Sequence, residues 1–571
     1  MKLTVIQKIL KESEAYRSLE QIESVLQSGG GLGGFPVQPL FVLIRQLDAG
    51  KVAQVLTQLS RKQRQAFLDL DLWSKDNLDV EAFEFWIKAY SQVEDEKVLH
   101  EFIESSEFEL YLKGRLNIWT FDVEDPLYPD HDNYFLTEDN LLLFEFHDEF
   151  ESIQEVRHLI KELYSKYGVE KAYARLFKLT TDSFSSMQEQ EYQAKKYRLA
   201  QLGIVDYFDS LEFETVYPNQ DFLDAQIRKK KRKTPRLDSL SRQQALHSSY
   251  LMAFRSDEEL FSSELLKVES QERLDYLRFN FLRLVNGAVT FHEALRDGRV
   301  AMARIGNMSK ASIELGFDYL NLKREVGDLE IKEEQSLFDF FDFVDLYRYG
   351  KSLFSFGQKE ISDALKKTVF DSDDKTPFLG KFLSELIDFS FDSPVKVCEA
   401  SQEGRANIIN SIKRYNEWRS QVKTLCHISP FAQKFYEVYE QMLESGGIQD
   451  RYYINYNVAE IDLEAVLISS FANFILGHYK DANSHKMGLT LSDFREFVKI
   501  FFTPSGELIK DDKNMRGLRD FFKNYGLDSI YRIEEYFLSV LCAHLEGYDF
   551  LELKENDYKH IGGPIILDPG Q

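Results

Sequence analysis

Residues that break helices are scarce along this chain of 571 residues, which contains only 12 Pro and 29 Gly. Sandwiches and barrels need frequent turns, and those turns use Gly and Pro. The long stretches between the breaks are therefore better suited to helices. Hydrophobic residues make up 43% of the chain, including 46 Phe and 29 Tyr, which is enough apolar material to fold several cores. We predict a mainly α protein of about three or four domains.

Helix-start signals follow one another in the first third of the chain. Asp48, Ser60 and Asp79 each precede an apolar helical pattern, and Gln63 stands at the capping-box position after Ser60. Short helices in this rhythm stack on each other and leave one continuous face as a groove. We therefore predict a helical-repeat module over residues 35–218. Its predicted core positions are Leu56, Leu59, Phe67 and Leu70, and its predicted groove positions are Arg45 and Arg64.

Two β-favouring runs interrupt the helical pattern of this module. They lie on either side of Glu138, Asp139 and Asn140, three residues that favour turns, and they predict one β-hairpin near residues 134–146. A leading helix with a glycine-rich joint is predicted for residues 1–34. Composition changes sharply to polar and basic at 219–242, which we interpret as a linker before a C-terminal helical domain at 243–571.

Net charge and cysteine content limit the classes of function. A net charge of −25 repels nucleic acid and anionic membranes from the molecule as a whole. The N-terminus lacks the apolar run of a signal peptide, and no segment reaches the roughly 20 apolar residues of a membrane-spanning helix. The three cysteines, Cys398, Cys426 and Cys542, are far apart and odd in number, which is not typical of a disulfide framework. We expect a cytoplasmic protein without membrane insertion.

One run of basic residues departs from this acidic background. Consecutive cations repel each other and stay solvated, which favours the linker interpretation. Three alternatives remain open: docking onto an acidic patch of the same protein, contact with nucleic-acid phosphates through residues 228–236, and contact with anionic lipid. The run consists of Arg228, Lys229, Lys230, Lys231, Arg232 and Lys233.

An acidic strip is predicted further along the chain. Asp339, Asp342 and Asp345 recur at every third residue of an aromatic-rich stretch, 337–356. Such a pattern is typical of a buried helix with one solvated edge.

A metal site is conceivable around residue 150. Spacings of four, four and three residues would place two imidazoles and two carboxylates on one helical face, provided that the helix began early enough, and such ligands suit zinc or iron. Apolar residues such as Val156 and Ile160 define the opposite, buried face, so we interpret the polar face as solvated and predict no cofactor. The candidate ligands are His147, Glu151, Glu155 and His158.

Motifs of other enzyme classes are either absent or lack the flanking secondary structure that their function needs. Gly29, Gly31 and Gly34 have the spacing of a dinucleotide-binding loop, but they follow a helix and lead into Phe35-Pro36 instead of joining a strand to a helix. Neither a serine nucleophile elbow nor a paired Cys motif is present. The sequence therefore favours a protein that is not an enzyme.

Several stretches together resemble an uncharacterised family of large, mainly delta-proteobacterial helical proteins. This resemblance extends over about residues 35–550, and it implies no catalytic residue. The stretches are Phe67-Leu-Asp-Leu-Asp-Leu-Trp73 with Asp76, Leu78 and Trp86, then Tyr197-Arg-Leu-Ala-Gln-Leu-Gly-Ile204 continuing to Tyr217-Pro218, and Glu314-Leu-Gly-Phe-Asp-Tyr-Leu320.

The stretch 37–112 is also similar to the superhelical cytosolic N-domain of MgtE-type magnesium transporters and to flagellar motor switch domains. Those modules are regulatory or assembly surfaces, so the similarity implies a helical interaction surface. We therefore expect a cytoplasmic scaffold or regulator that binds another protein through its N-terminal repeat. A metal-dependent enzyme or sensor at 147–158 is the alternative, and a nucleic-acid contact at 228–236 is a weaker one.

Overall fold

The structure is a computed structural model that describes most of the chain. The predicted leading helix lies almost wholly outside the described residues, as does the C-terminal end of the chain. The described residues are 25, 31–35, 37–147, 149–232, 236–239, 241, 261–398, 406–444, 461–481, 486, 488–528 and 533–545.

Helices dominate these residues, which confirms the predicted mainly α class. In chain order the helices of the N-terminal half are α1 Val37–Ile44, α2 Ala49–Leu56, α3 Arg61–Asp71, α4 Val80–Tyr90, α5 Glu96–Ile103, α6 Ser106–Arg115, α7 Ile153–Tyr167, α8 Val169–Thr181, α9 Phe184–Gln201, α10 Tyr207–Glu214 and α11 Gln220–Lys229. Those that follow are α12 Ser262–Leu266, α13 Gln271–Phe291, α14 Gly298–Glu325, α15 Phe343–Leu365, α16 Lys381–Phe391, α17 Ile412–Glu444, α18 Leu463–Ile475, α19 Leu491–Phe501, α20 Asp512–Asn524 and α21 Ile533–Leu545. No helix within the described ranges combines the length and the apolar character needed to cross a membrane.

Side-chain caps explain why the early helices begin where they do. Asp48 accepts a hydrogen bond from the Lys51 backbone N–H at 3.0 Å and starts α2. Ser60 and Gln63 form a reciprocal capping box at the start of α3. Asp79 accepts from the Ala82 N–H at 3.1 Å and starts α4. Each cap satisfies a backbone donor that the helix itself leaves unpaired, and the three predicted helix starts are confirmed.

The predicted β-hairpin near 134–146 is confirmed and belongs to a larger sheet. Strands β4 (Tyr134–Leu136) and β5 (Leu142–Glu145) pair antiparallel, and Asn140 in the turn between them has a left-handed φ of 57°. A further strand, β3 (Asn117–Thr120), pairs with the other side of β5 and gives the order β3-β5-β4. Strand β3 was not predicted, because a strand of four residues is too short to show a clear alternation.

Two short antiparallel ribbons were also not predicted. The first joins β1 (Trp73–Ser74) to β2 (Asn77–Leu78), and the second joins β6 (Lys396–Cys398) to β7 (Ala406–Ile408). Strands of two or three residues are too short to show the alternation by which strands are predicted.

The described residues form two compact units. The first comprises residues up to 215 together with 228–313 and 323–348, and the second comprises 216–227, 314–322 and the remainder from 349. These units divide the chain at other residues than the predicted domains 35–218 and 243–571.

Long-range packing inside the first unit explains this division. The Tyr207 ring of α10 stacks on Phe291 of α13, with centroids 5.8 Å apart. A side chain at Gly287 of α13 would lie 2.4 Å from the Phe213 ring of α10, so the two helices meet closely only because residue 287 is Gly. Arg296, after α13, donates to the Asp79 carboxylate at 2.8 Å. Residues 261–313 therefore complete the core that the N-terminal helices begin.

The predicted core of the N-terminal module is largely confirmed, but its predicted groove is not. Leu56, Leu59 and Phe67 are fully buried, and Leu70 is half-buried against the same core. The prediction that Arg64 lies exposed is wrong, because this side chain is 7% exposed.

Arg64 is buried because it donates hydrogen bonds to carbonyl groups at and just beyond the end of α2. They lack partners within the helix, and the Arg64 guanidinium donates to the carbonyls of Leu56 and Leu59 while it pairs with Glu101. Arg45, the other predicted groove residue, is half-buried and pairs with the buried Asp71 at 2.8 Å. Both arginines therefore stabilise the fold.

The second unit has an aromatic core built on α18. Phe471 lies within 6 Å of four other Phe rings in edge-on contacts, from α19, α20 and α21. On the neighbouring helices, the buried Trp418 of α17 donates to the Ser390 hydroxyl of α16 at 2.9 Å. Edge-on packing of aromatic rings contributes beyond their buried area, so this core uses the high Phe content of the sequence.

Candidate functional site

The four candidate metal ligands do not share one helical face. Helix α7 begins at Ile153, so His147 and Glu151 precede it, and only Glu155 and His158 lie on it. The Glu151 side chain is 82% exposed and pairs with Lys88 at 3.4 Å, and His158 is also exposed. The condition that the helix begins early enough is therefore not met. The alternative of a zinc or iron site here stays a hypothesis, which metal analysis of the purified protein tests.

The basic run makes ion pairs within the first unit. Lys230 pairs with Asp345 at 2.6 Å, and Arg232 pairs with Asp339 at 3.4 Å. Both aspartates are buried, so the expectation of a solvated acidic edge is wrong at these two positions. Burial and the neighbouring Asp342 raise the pKa of Asp345 to about 6, whereas Lys230 lowers it. The contacts correspond to the alternative in which the run docks onto an acidic patch of the same protein.

A buried cluster of charges joins three helices of the first unit. Arg198 of α9 donates through Nε to Asp69 of α3 at 2.9 Å, and through Nη2 to Glu107 of α6 at 3.2 Å and to Glu191 at 2.5 Å. Gln65, one turn before Asp69, also donates to Glu107. The three carboxylates are all buried, with oxygens within 4.8 Å of one another.

Burial dominates the electrostatics of this carboxylate cluster (Asp69, Glu107 and Glu191 around Arg198). Loss of solvent, together with the neighbouring Glu191 and Asp69, raises the pKa of Glu107 to about 8, although Arg198 opposes the shift. Burial also raises the pKa of Asp69, although Arg198 and Gln65 lower it. Arg198 therefore pairs with three carboxyl groups, and Glu107 holds a proton near neutral pH.

The carboxylate cluster has the ligand types of a cation site, but Arg198 lies among its oxygens. Its arginine supplies hydrogen bonds to all three carboxylates, as buried charges require. A cation would have to displace that side chain. We conclude that the cluster ties α3, α6 and α9 together.

The carboxylate cluster was not predicted from the sequence. Asp69 and Arg198 lie in two of the stretches that carry the family resemblance, and an Asp inside the apolar run 67–73 was the available signal. Nothing local in the sequence pairs residues so far apart.

An exposed apolar surface lies beside the three-stranded sheet. It follows β3 into the segment 121–133, which connects β3 to β4. Trp119 is 56% exposed, Val123 59%, Leu127 83% and Tyr128 54%. Exposed apolar groups this close together in the chain are typical of interaction sites. We call these four residues, with the acidic residues of the segment 121–133, the rim surface.

Several contacts hold the rim surface in place. The Tyr128 ring packs between Phe121 and Tyr134, with centroid distances of 5.2 and 6.0 Å. Glu145 of β5 accepts a hydrogen bond from the Trp119 indole at 3.0 Å and lies 3.1 Å from the His131 ring nitrogen. The bond from Trp119, with further bonds from Asn117 and His131, lowers the pKa of Glu145, so this carboxylate stays ionised.

Charge on the rim surface has one sign. Residues 121–133 contain no Lys or Arg, and every acidic residue among them is exposed. Asp122 also accepts from the backbone N–H of Glu124 at 2.9 Å, which forms a local turn. The acidic residues are Asp122, Glu124, Asp125, Asp130 and Asp132.

Comparison with known proteins places the chain in a family. The model of a family of unknown function (DUF6178) matches residues 2–563, and the chain therefore belongs to that family. No curated protein and no solved structure matches the chain.

Proposed function

We propose that this member of the DUF6178 family is a protein-binding scaffold or regulator, and that its rim surface receives an extended segment of a partner rich in Lys and Arg. The observation that carries the proposal is the combination of exposed Trp119, Val123, Leu127 and Tyr128 with five acidic residues and no Lys or Arg in the segment 121–133. Apolar anchors supply binding energy, and the surrounding charge selects the partner.

The sheet offers the partner a backbone edge as well. Among the strands that the structure describes, β3 pairs only with β5. Phe121 donates its N–H to the Leu141 carbonyl of the neighbouring chain segment. Because hydrogen-bonded and non-hydrogen-bonded residues alternate along an antiparallel pair, the N–H and C=O groups of Thr120 point away from β5. Helix α8 also packs against β3, so an extended peptide can add main-chain hydrogen bonds at the exposed end of the strand near Thr120, and its side chains then provide specificity.

The proposal keeps the wider expectations from the sequence. We propose in addition that the chain has a bacterial, mainly delta-proteobacterial origin, a cytoplasmic location and a kinship with the MgtE-type N-domain. The recognition surface moves, however, from the predicted helical groove to the rim, because Arg64 is buried and Arg45 is bound to Asp71.

Selection from a random peptide display library tests the proposal. The full chain is the bait, and we expect enriched peptides with a net positive charge and apolar residues at alternate positions. Binding should weaken by about tenfold or more when the ionic strength rises from 50 to 500 mM, because exposed charges are then screened. Enrichment of peptides without positive charge, or no enrichment above the bare support, would contradict the proposal.

Two matched pairs of variants locate the binding surface. Glu124→Lys with Asp125→Lys should abolish binding of the enriched peptides, whereas Glu333→Lys with Glu334→Lys changes the same net charge at exposed positions elsewhere. Leu127→Ser should also abolish binding, and its control is Leu266→Ser, at a position 81% exposed. Equal loss in a variant and its control would show that the rim surface is not the site.

A further inference from the structure

A cavity of about 210 Å³ lies in the first unit between α4, α6, α9 and β2. Its walls are mainly apolar and include Leu78, Phe83, Leu110 and Phe184, with the exposed Val80 at its mouth. A protein cavity of about 150 Å³ holds a benzene molecule. This cavity therefore has room for one ring, or a branched chain of similar size, with a small substituent.

Close packing fixes one wall of the cavity. The Phe184 ring lies directly on the backbone of Gly114 in α6, where a Cβ atom would come within 2.8 Å of the ring. On the opposite side, Tyr111 donates its hydroxyl to Glu84 at 2.9 Å. The side chains around the cavity are thus held by contacts of their own, as in a preformed ligand pocket.

Arg115, the last residue of α6, lines the cavity, and 32% of its side chain is exposed. Its Nε is buried and has no hydrogen-bond partner among the described residues. Arg115 forms a long ion pair with Glu84, whose carboxylate is 3.8 Å from Nη2, beyond hydrogen-bond distance, and already accepts bonds from Tyr111 and Ser152. The guanidinium also lies over the Phe150 ring, 5.7 Å from its centroid. A buried N–H without an acceptor is unfavourable, and native proteins rarely leave one.

We propose that this cavity binds a small monocarboxylic acid with an apolar body, such as an aromatic or branched aliphatic acid. Its ring or chain lies among Phe83, Leu110 and Phe184, and its carboxylate accepts from Arg115. Guanidinium groups match planar carboxylates through paired hydrogen bonds, and a donor-only side chain demands an acceptor from the ligand. This inference does not depend on the proposed binding of a basic protein segment.

Fluorine NMR with the full chain tests the inference. The probes are 4-fluorobenzoate and 4-fluorobenzyl alcohol, which have similar size but differ in charge. We expect the acid to bind at least about tenfold more tightly than the alcohol, since charge-assisted hydrogen bonds are the stronger ones. Equal affinities, or no binding of the acid at millimolar concentration, would overturn the inference.

Two variants place the ligand in this cavity. Arg115→Met should weaken binding of the acid at least about tenfold and leave that of the alcohol unchanged, with the exposed Arg61→Met as the control. Val80→Phe fills the mouth without removing a charge and should abolish binding of both probes. If Arg115→Met does not fold, Val80→Phe decides alone, and normal binding of the acid by that variant would overturn the inference.

Discussion

At the scale of single residues, buried charged side chains depend on their partners. Arg198 forms ion pairs with all three members of the carboxylate cluster, Asp69, Glu107 and Glu191. A buried carboxylate that loses its partner keeps its desolvation cost without compensation. The arginine is therefore needed for stability whatever the protein binds.

Replacement of Arg198 tests this role. Arg198→Met keeps much of the side-chain volume but removes the charge and all the hydrogen bonds, and we expect a loss of about 3–5 kcal/mol in the free energy of unfolding. Urea denaturation followed by circular dichroism measures it. The exposed Arg61→Met should change stability by less than about 0.5 kcal/mol. If the two variants unfold at the same urea concentration, Arg198 does not hold the cluster together.

Glu107 makes stability depend on pH. Its pKa is raised from 4.5 to about 8 in the folded protein, so between these values the folded state binds more protons than the unfolded state. The contribution of Glu107 to stability is therefore greatest below pH 4.5 and falls as pH rises to about 8. We expect Glu107→Gln, which cannot ionise, to be more stable than the wild type at pH 9, by thermal unfolding. A difference that does not change between pH 5 and pH 9 would contradict the assignment.

At the scale of secondary-structure elements, prediction succeeded where the signal is local. The starts of α2, α3 and α4 follow from capping residues next to apolar patterns, and the hairpin of β4 and β5 follows from the turn at 138–140. The carboxylate cluster, the burial of Arg64 and the contacts of Lys230 depend instead on partners far along the chain. Periodicity in a single sequence carries no information about such pairs.

Limited proteolysis tests the docking of the basic run. We expect trypsin to cleave after residues 229–232 more slowly in the wild type than in Asp345→Asn, because the variant removes the partner of Lys230. Asp363→Asn, at an exposed position of the same helix α15, is the control. Mass spectrometry of the earliest fragments gives the rates. Equally fast cleavage in all three proteins would support the solvated linker instead.

At the scale of the whole molecule, segments that are distant in sequence pack into one hydrophobic core. Helix α13 packs on α10, and Arg296 donates to Asp79 and to the Trp73 carbonyl, so residues 261–313 share a core with the N-terminal helices. The polar segment at 219–242 predicted a domain boundary because its composition changes, yet composition does not report which helices pack together. Much of that segment is helix α11, in which Leu223 and Ile227 are buried, so its interpretation as a linker is wrong over residues 220–229.

Separate expression of the two predicted halves tests this arrangement. Fragments 1–242 and 243–571 should copurify when they are produced together, because α10 and α13 bury apolar faces against each other. Gly287→Leu in the second fragment should abolish copurification, since a side chain there would collide with Phe213. Two stable fragments that remain apart would show that the packing of α10 on α13 is dispensable.

The proposed binding of a basic partner segment to the rim surface can be observed inside cells. A photo-crosslinking amino acid at position 127 of the full chain, expressed in its own source cells, tests it most directly, with position 326, which is 62% exposed, as the control. We predict one main crosslinked protein from position 127 and none from position 326. Mass spectrometry should map the link to a segment rich in Lys and Arg. The same products from both positions, or a link mapped to an acidic segment, would contradict the account.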